Sequence, residues 1–417
     1  MKFTIKKTTV FDSINYLLLF LLVGVSSIPF FIGNNYLLLG FGLSFLIFFF
    51  RKLKLEQYVL IYSSVFVIIS ICHVFFFNFF DAPVFFGLIV RIFFAYFTIK
   101  IIGKNIENYY INLLYFLSVF SLIIWGVLFA VPSSFNFFIG SVTPFFEKLT
   151  LYKPCEHHMI FFTFNIGKGI VPRNSGPFWE PGGFGIFLII AFILNLLKTN
   201  SVLDKKNIIF LFALLTTQST GSYMAFAILM VFYFISQKKL RYLLIALPAF
   251  LVLFYTYFEK LDFLEEKIVN EFEFIEGSST THLPRTRLVS ALEDWKIIKE
   301  FPLFGEGRFK EEESEFSNQG LNYRNNGTTR LAAEFGILGF LFYFYFMYKS
   351  FKVLCRHYGF KDLFALSLVV VIIVAGISQI IFTKTFFIAL TFMFFVKSKY
   401  LTKPNHEIGI EGSFKSF

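Results

Sequence analysis

Apolar runs long enough to cross a bilayer recur along almost the whole chain. The 417 residues are 56% hydrophobic, include 67 Phe and are only 16% charged. A membrane-spanning helix needs roughly 20 predominantly apolar residues. About twelve such runs can be placed, and they lie at 14–32, 35–50, 57–77, 83–102, 110–131, 181–197, 207–218, 221–236, 241–257, 331–348, 363–382 and 386–396. The sequence therefore predicts an all-α polytopic membrane protein with about 12 transmembrane helices.

Basic residues sort into alternate connections between these runs. Cytoplasmic loops of membrane proteins hold the excess of Lys and Arg. With both termini in the cytoplasm, the inner loops take most of the 38 Lys and Arg, and the short outer turn at 383–385 holds only Lys384. The net charge of +11 then belongs to the cytoplasmic face and indicates no nucleic-acid partner.

The same topology divides the chain into four parts. Residues 1–257 form an N-terminal transmembrane bundle of about nine spans with an outer loop at 132–180. Residues 258–330 form one large, mainly helical extracytoplasmic loop domain, 331–397 the C-terminal spans, and 398–417 a cytoplasmic tail. Because loops carry function more often than spans do, the two outer loops are where chemistry is expected.

The first outer motif is PRNSGPFWEPGGFG, residues 172–185, just before the sixth span. It places Arg173 and Glu180 in a turn rich in Pro and Gly. Pro181 is suited to the first turn of the span, which would set Glu180 at the positive end of a helix dipole. Two interpretations stay open: the two charges pair with each other, or they form part of a site.

The second motif, residues 282–307, predicts a helix opened by Pro284 and ended by Pro302. Arg285 and Arg287 fall in its first turn, where a cation is electrostatically unfavourable. Two guanidinium groups beside free backbone N–H groups suit phosphate. The alternative is that they pair with the acidic run at 265–276.

The third motif, NYRNNGTTRLAAEFGILG, leads from the large loop into the tenth span. Asn325, Asn326 and Arg330 supply hydrogen-bond donors at the membrane face. Glu334 would lie within the first turns of the span, where a carboxylate is costly unless it is paired. Arg330, four residues earlier, is the predicted partner.

Arg91 lies in the middle of the fourth span, among Ile, Val and Phe. An Arg inside a span is a functional candidate by default, so Arg91 is predicted to bind substrate. It could instead reach the interface or pair with a polar group such as Asp81.

Neither a metal nor a cofactor is predicted. His157 and His158 adjoin Cys155 and Glu156, but adjacent residues point in different directions and no second cluster follows at ligand spacing.

Together these patterns resemble the O-antigen polymerase and O-antigen ligase superfamily. Three segments within roughly residues 160–345 carry the resemblance. The first is the turn that contains Arg, Gly and Glu-Pro, and the second is the stretch that contains Arg, Trp and Pro-Leu-x-Gly-x-Gly. The third is the Asn-rich segment that leads into the tenth span and contains Glu-x-Gly-x-x-Gly. It implies glycosyl transfer from an oligosaccharide linked to undecaprenyl diphosphate, in a membrane bundle capped by a helical periplasmic domain. On matching positions, Arg173 and Arg285, with Arg287, would bind the diphosphate.

The chain departs from the ligases in one segment. Where ligases resembling it carry a His, this chain has Asn325 and Asn326, and Asn is not a general base near neutral pH. A polymerase is therefore favoured, with Glu180 as base or sugar-orienting carboxylate and the two Asn positioning sugar hydroxyls. The expected partners are the lipid-linked oligosaccharide, membrane lipid, a chain-length regulator and a flippase. The alternatives are a ligase that transfers glycan to lipid A core or protein, and a lipid-linked oligosaccharide flippase or other transporter.

Overall fold

The computed structural model describes residues 7–78, 80–150, 157–165, 172–239, 241, 287–308 and 325–394, with the side chains of residues 7–10 excepted. Within these ranges nearly all regular structure is helical, as the sequence predicted. The α-helices are α1 Lys7–Ser27, α2 Asn34–Phe50, α3 Gln57–Phe77, α4 Ala82–Ile102, α5 Ile106–Ala130, α6 Ser134–Phe137, α7 Thr143–Leu149, α8 Pro181–Thr199, α9 Lys205–Thr217, α10 Thr220–Ser236, α11 Arg287–Glu300, α12 Gly327–His357, α13 Asp362–Ile377 and α14 Thr385–Leu390. Two short antiparallel strands, β1 His157–His158 and β2 Thr163–Phe164, pair in the loop before α8.

Four helical stretches are long and apolar enough to cross a membrane, namely Gln57–Phe77, Ala82–Ala130, Pro181–Thr199 and Gly327–His357. The second of these contains α4 and α5, which a 3-10 turn at Gly103–Asn105 separates. Four shorter apolar helices accompany them, at Phe11–Ser27, Asn34–Phe50, Thr220–Ser236 and Asp362–Ile377. These helices fit a membrane protein, whereas the number twelve stays a prediction. Most of the predicted ninth span, 241–257, lies outside the described residues.

Helix α8 forms the centre of the bundle. Each residue from Pro181 to Leu197 is buried, because a helix that is apolar all round is stable only with neighbours on every side. The Tyr110 hydroxyl of α5 donates to the Phe187 carbonyl at 3.0 Å, and the Phe187 ring lies 5.1 Å from that of Phe386 in α14. The described part of the predicted twelfth span, 386–396, contains α14 up to Leu390, and the apolar side chains of α14 fill this interior.

Helices α8, α10 and α12 all begin at one end of the bundle, next to the loop that follows α13; we call this the site end. Glycines in their first turns allow the close approach. A Cβ at Gly327 would lie 2.0 Å from the Gln379 carbonyl oxygen, and one at Gly221 would lie 2.5 Å from the Ser378 Cβ. Helix N-termini carry partial positive charge and unpaired N–H groups, so the site end is favourable for anions.

Helix α12 is interrupted at Gly336, whose φ is +67° and ψ 179°. The segment after α11 pairs with this interruption. The Ile337 N–H donates to the Pro302 carbonyl at 2.9 Å, and the Glu306 N–H donates to the Ala333 carbonyl at 2.9 Å. The second and third sequence motifs are therefore two halves of one backbone junction, which explains their glycines.

Gly336→Ala is expected to destabilise the protein by about 1–3 kcal/mol, because φ is positive there. A Cβ would also lie 2.1 Å from the Leu303 carbonyl oxygen. Thermal unfolding of the purified protein in detergent tests this, with Gly42→Ala as the control. Gly42 lies in α2 with nothing within 4 Å of its Cβ position, so its replacement should be neutral or slightly stabilising. Equal melting temperatures for the two variants would contradict the strained junction.

Candidate functional site

Four cationic side chains gather at the site end, and we call them the cation cluster. Arg91 comes from α4, Arg308 from the segment after α11, Arg330 from the first turn of α12, and Lys384 from the loop before α14. Burial, together with the charges of Arg91, Arg308 and Arg330, lowers the pKa of Lys384 to about 8. The four cations are therefore close enough to repel one another.

The buried carboxylate of Glu334 forms ion pairs with two of these arginines. Arg330 Nε lies 2.6 Å from Glu334 Oε1, and Arg308 Nε lies 3.2 Å from Glu334 Oε2. The pairing predicted between Arg330 and Glu334 is confirmed, while the second partner, Arg308, was not predicted. Glu334 is only 2% exposed, so the pairing removes the cost of burying its charge.

The other two cations have no such partner. Within the described part of the chain, neither Arg91 nor Lys384 forms an ion pair; Lys384 Nζ lies 5.6 Å from the centre of the Trp179 ring. Arg91 turns back along α4, with Nη1 3.5 Å from the position of a Cβ at Gly87. Asp81 instead caps α4 by accepting the Val84 N–H at 3.0 Å. The cluster therefore carries more positive than negative charge, which an anionic ligand would balance.

Replacing Lys384 with Gln is expected to stabilise the protein at pH 7. The pKa in the folded protein is about 8 against an ordinary 10.5, so between these values the unfolded chain binds more protons and stability rises with pH. At pH 7 Lys384 is protonated in both states and its charge is destabilising. Melting temperatures at pH 7 and 9.5 test this. At pH 7 the Lys384→Gln variant should melt at a higher temperature than wild type. Between pH 7 and 9.5 its melting temperature should rise less than that of wild type. The exposed Lys205→Gln serves as control, and the idea fails if Lys384→Gln melts below wild type at pH 7.

The two charged residues of the first motif bind separate elements. Arg173 donates from Nη2 to the Gln218 carbonyl at 3.0 Å and from Nε to the Thr217 carbonyl at 3.3 Å. These carbonyls belong to the C-terminal end of α9, the negative end of its dipole. Glu180 immediately precedes α8 and accepts a hydrogen bond from Gln379 Nε2 in the loop after α13. Both residues therefore lie at the site end.

Asn326 is the N-cap of α12, and its side-chain oxygen accepts the N–H groups of Thr328 and Thr329, each at 3.1 Å. The Asn325 N–H donates to Ser290 Oγ at 3.1 Å. Arg287 is the first residue of α11, and within the described ranges it has no hydrogen bond or ion pair. Arg285 lies outside the described residues, as does the acidic run at 265–276. The binding roles of these residues stay predictions.

Helix α11 confirms the helix predicted in the second motif, but its polar side is the packed one. The Thr329 hydroxyl donates to Asp294 Oδ2 at 2.5 Å. The buried residues of α11 are Ser290, Asp294 and Ile298. Its apolar stripe of Leu288, Leu292 and Trp295 is exposed by 38–53%. Helix α11 is therefore fixed to α12 by hydrogen bonds, and this places the following Arg308 on Glu334.

Sequence reasoning missed the site positions of Arg308, Lys384 and Gln379. Arg308 directly follows the glycines of the Pro-Leu-x-Gly-x-Gly stretch, and Lys384 is the only cation of the predicted outer turn at 383–385; both signals were visible in the sequence. Nothing in the sequence distinguishes Gln379. In the loop between α7 and α8, His157 Nδ1 lies 2.9 Å from Glu147 Oε1. The described residues contain no group of three or more His, Cys, Asp or Glu that could hold a metal.

Residues 207–344 match the family model described as O-antigen ligase. The match supports the O-antigen polymerase and ligase superfamily. It covers a third of the chain and includes Arg308, Arg330 and Glu334, while Arg91, Arg173, Glu180 and Lys384 fall outside it. Together with the apolar helices, it indicates a protein of the bacterial inner membrane. No curated protein matches the chain.

Proposed function

We propose that this protein is a polysaccharide polymerase that joins lipid-linked repeat units of an O-antigen or capsule at the outer face of the cytoplasmic membrane. The growing glycan leaves its undecaprenyl diphosphate carrier and moves to a sugar hydroxyl of the incoming lipid-linked unit. No nucleotide sugar and no metal enters the reaction.

The observation that carries the proposal is the cation cluster beside the N-terminal ends of α8, α10 and α12. A diphosphate leaving group gains negative charge as the glycosidic bond breaks, and fixed cations stabilise that charge in the transition state. Glu334 lies within ion-pair distance of Arg330 and Arg308, which leaves Arg91 and Lys384 for the ligand. A lipid-linked diphosphate supplies the negative charge that these two cations need, and its lipid carrier places that charge beside a membrane-spanning helix such as α4.

Several further residues have proposed roles. Arg173, Arg285 and Arg287 assist in holding the diphosphate, and Arg330 contributes through the cluster. Asn325 and Asn326 position sugar hydroxyls, Asn326 through its place at the start of α12. Glu180, which Gln379 holds by a hydrogen bond, keeps both roles that the sequence left open, base and sugar-orienting carboxylate. The large loop faces outward, both termini face the cytoplasm, and a flippase and a chain-length regulator act beside the enzyme.

A ligase is the second candidate, because the matched family model carries that description. A ligase would transfer finished glycan to lipid A core or protein. The Asn at positions 325 and 326 favour the polymerase, since ligases resembling this chain carry a His there.

The surface glycan of a deletion strain, resolved by gel, separates the two candidates. For a polymerase, the deletion strain should show only single-repeat product, and the wild-type gene should restore the ladder. A ladder that forms but stays on its lipid carrier would identify a ligase. Full-length attached chains in the deletion strain would exclude both functions.

A further inference from the structure

His73 of α3 is held in one tautomer by the segment after α11. Its Nε2 lies 2.8 Å from the Phe304 carbonyl oxygen. A carbonyl oxygen only accepts, so Nε2 carries the proton and donates. The neutral imidazole then has its lone pair on Nδ1.

The backbone next to Nδ1 is glycine. A Cβ at Gly307 would lie 2.9 Å from His73 Nδ1, and the φ of Gly307 is +88°. Within the described residues, Nδ1 has no hydrogen-bond partner. Glycine therefore keeps the lone pair of a largely buried histidine uncovered.

A cleft passes between α3, α4 and this segment, and His73 lines it together with Asp81, Arg308 and the apolar Val84 and Phe85. Asp81 Oδ2 is shielded from solvent and has no hydrogen-bond partner within the described ranges. Two residues that line this cleft, His73 and Asp81, thus each carry an acceptor atom that has no hydrogen-bond donor among the described residues, a condition that costs free energy unless a donor is supplied. A sugar hydroxyl is such a donor. Arg308 also belongs to the cation cluster and so connects the cleft to the proposed diphosphate site.

We propose that His73 is the proton acceptor of the transferase reaction, in the place of the histidine that the loop of this chain lacks. This inference rests on the proposed function. The oxygen of the acceptor hydroxyl bonds to the anomeric carbon of the donor glycan, and the bond from that carbon to the diphosphate oxygen breaks. The bonding electrons leave with the diphosphate, and the hydroxyl proton moves to His73 Nδ1. Glu180 then orients the sugar. The charged groups around His73 are Asp81 at the start of α4, Arg308, and Glu334 on α12, which is within electrostatic range.

The test compares wild type, His73→Gln and Glu180→Gln as purified full-length proteins. Lipid-linked repeat units extracted from the deletion strain serve as substrate, and initial elongation rates are measured from pH 5 to 9. Gln at position 73 can still donate an amide N–H to the Phe304 carbonyl. If His73 has only a structural role, the His73→Gln variant should therefore keep its activity. His157→Gln, in the outer-loop strand pair, is the matched control.

Wild type and Glu180→Gln should lose activity towards acid pH, because a protonated His73 can no longer accept the hydroxyl proton. His73→Gln should show kcat lowered by roughly 10²–10⁴ with KM little changed, and no such acid limb. A His73→Gln enzyme within threefold of wild type, or a wild type that elongates glycan without an acid limb, would overturn the assignment of His73 alone. A wild type that elongates at no pH would overturn the proposed function and this inference with it.

Discussion

Arg91→Gln should shorten the surface glycan towards the single-repeat product while leaving the amount of protein unchanged. Arg91 forms no ion pair with the described residues, so its replacement removes no visible bond of the fold. A charge-assisted hydrogen bond to the diphosphate is worth about 1.5–3 kcal/mol, so elongation should fall by at least about tenfold. Gel analysis of glycan from cells carrying each variant measures this effect.

Two further variants sharpen that result. Arg91→Lys keeps the charge but loses the bidentate donor geometry of the guanidinium. The glycan of this variant should therefore be intermediate in length between that of Arg91→Gln and that of wild type. Arg356→Gln is the matched control, because Arg356 pairs with Asp362 after α12, far along the helix from the site end. A normal ladder from Arg91→Gln cells would remove Arg91 from the site.

Glu334→Ala should have the largest effect on stability. It leaves Arg308 and Arg330 close to Arg91 and Lys384 without the carboxylate that pairs with them. Breaking a buried pair by removing one partner costs about 3–5 kcal/mol. The variant should therefore be scarce in membranes and should unfold at markedly lower temperature after purification.

The comparison for Glu334 is Glu56→Ala. Glu56 pairs with Lys100 at 2.5 Å, but the side chains are 26% and 15% exposed. An ion pair that solvent reaches contributes about 0–1 kcal/mol, so Glu56→Ala should be close to wild type. Similar losses of stability in Glu334→Ala and Glu56→Ala would contradict the larger contribution that is assigned to the buried Glu334.

Much of the fold follows from the sequence because a bilayer imposes it. Apolar runs predict α2, α3, α4 and α8 almost to the residue, since a buried span must satisfy its own backbone groups as a helix. The pair of Arg330 and Glu334 follows from helical spacing for the same local reason. Apolar content does not separate lipid exposure from protein burial, so the apolar run at 386–396 did not indicate that every residue of α14 is buried inside the bundle.

The site depends on contacts that spacing does not contain. Arg308 reaches Glu334 because two glycine-containing segments 30 residues apart pair through their backbones. Arg91 and Lys384, which are nearly 300 residues apart in the chain, both lie near this ion pair. No period or motif predicts such a meeting. Arg285 and Arg287 were placed by their helical position alone. Helix α11 is held by Ser290, which accepts from the Asn325 N–H before α12, and by Asp294, which accepts from Thr329 of α12; no hydrophobic pattern indicates these two contacts.

The most direct test of the polymerase is elongation by the purified full-length protein, with lipid-linked repeat units from the deletion strain as the only sugar source. The account predicts lipid-linked products of two or more repeats and one released undecaprenyl diphosphate for each bond formed, without nucleotide sugar. Glycan that stays at one repeat in this assay would contradict it if the same preparation, in a second assay supplied with preformed lipid-linked polymer and lipid A core, transfers that polymer to the core.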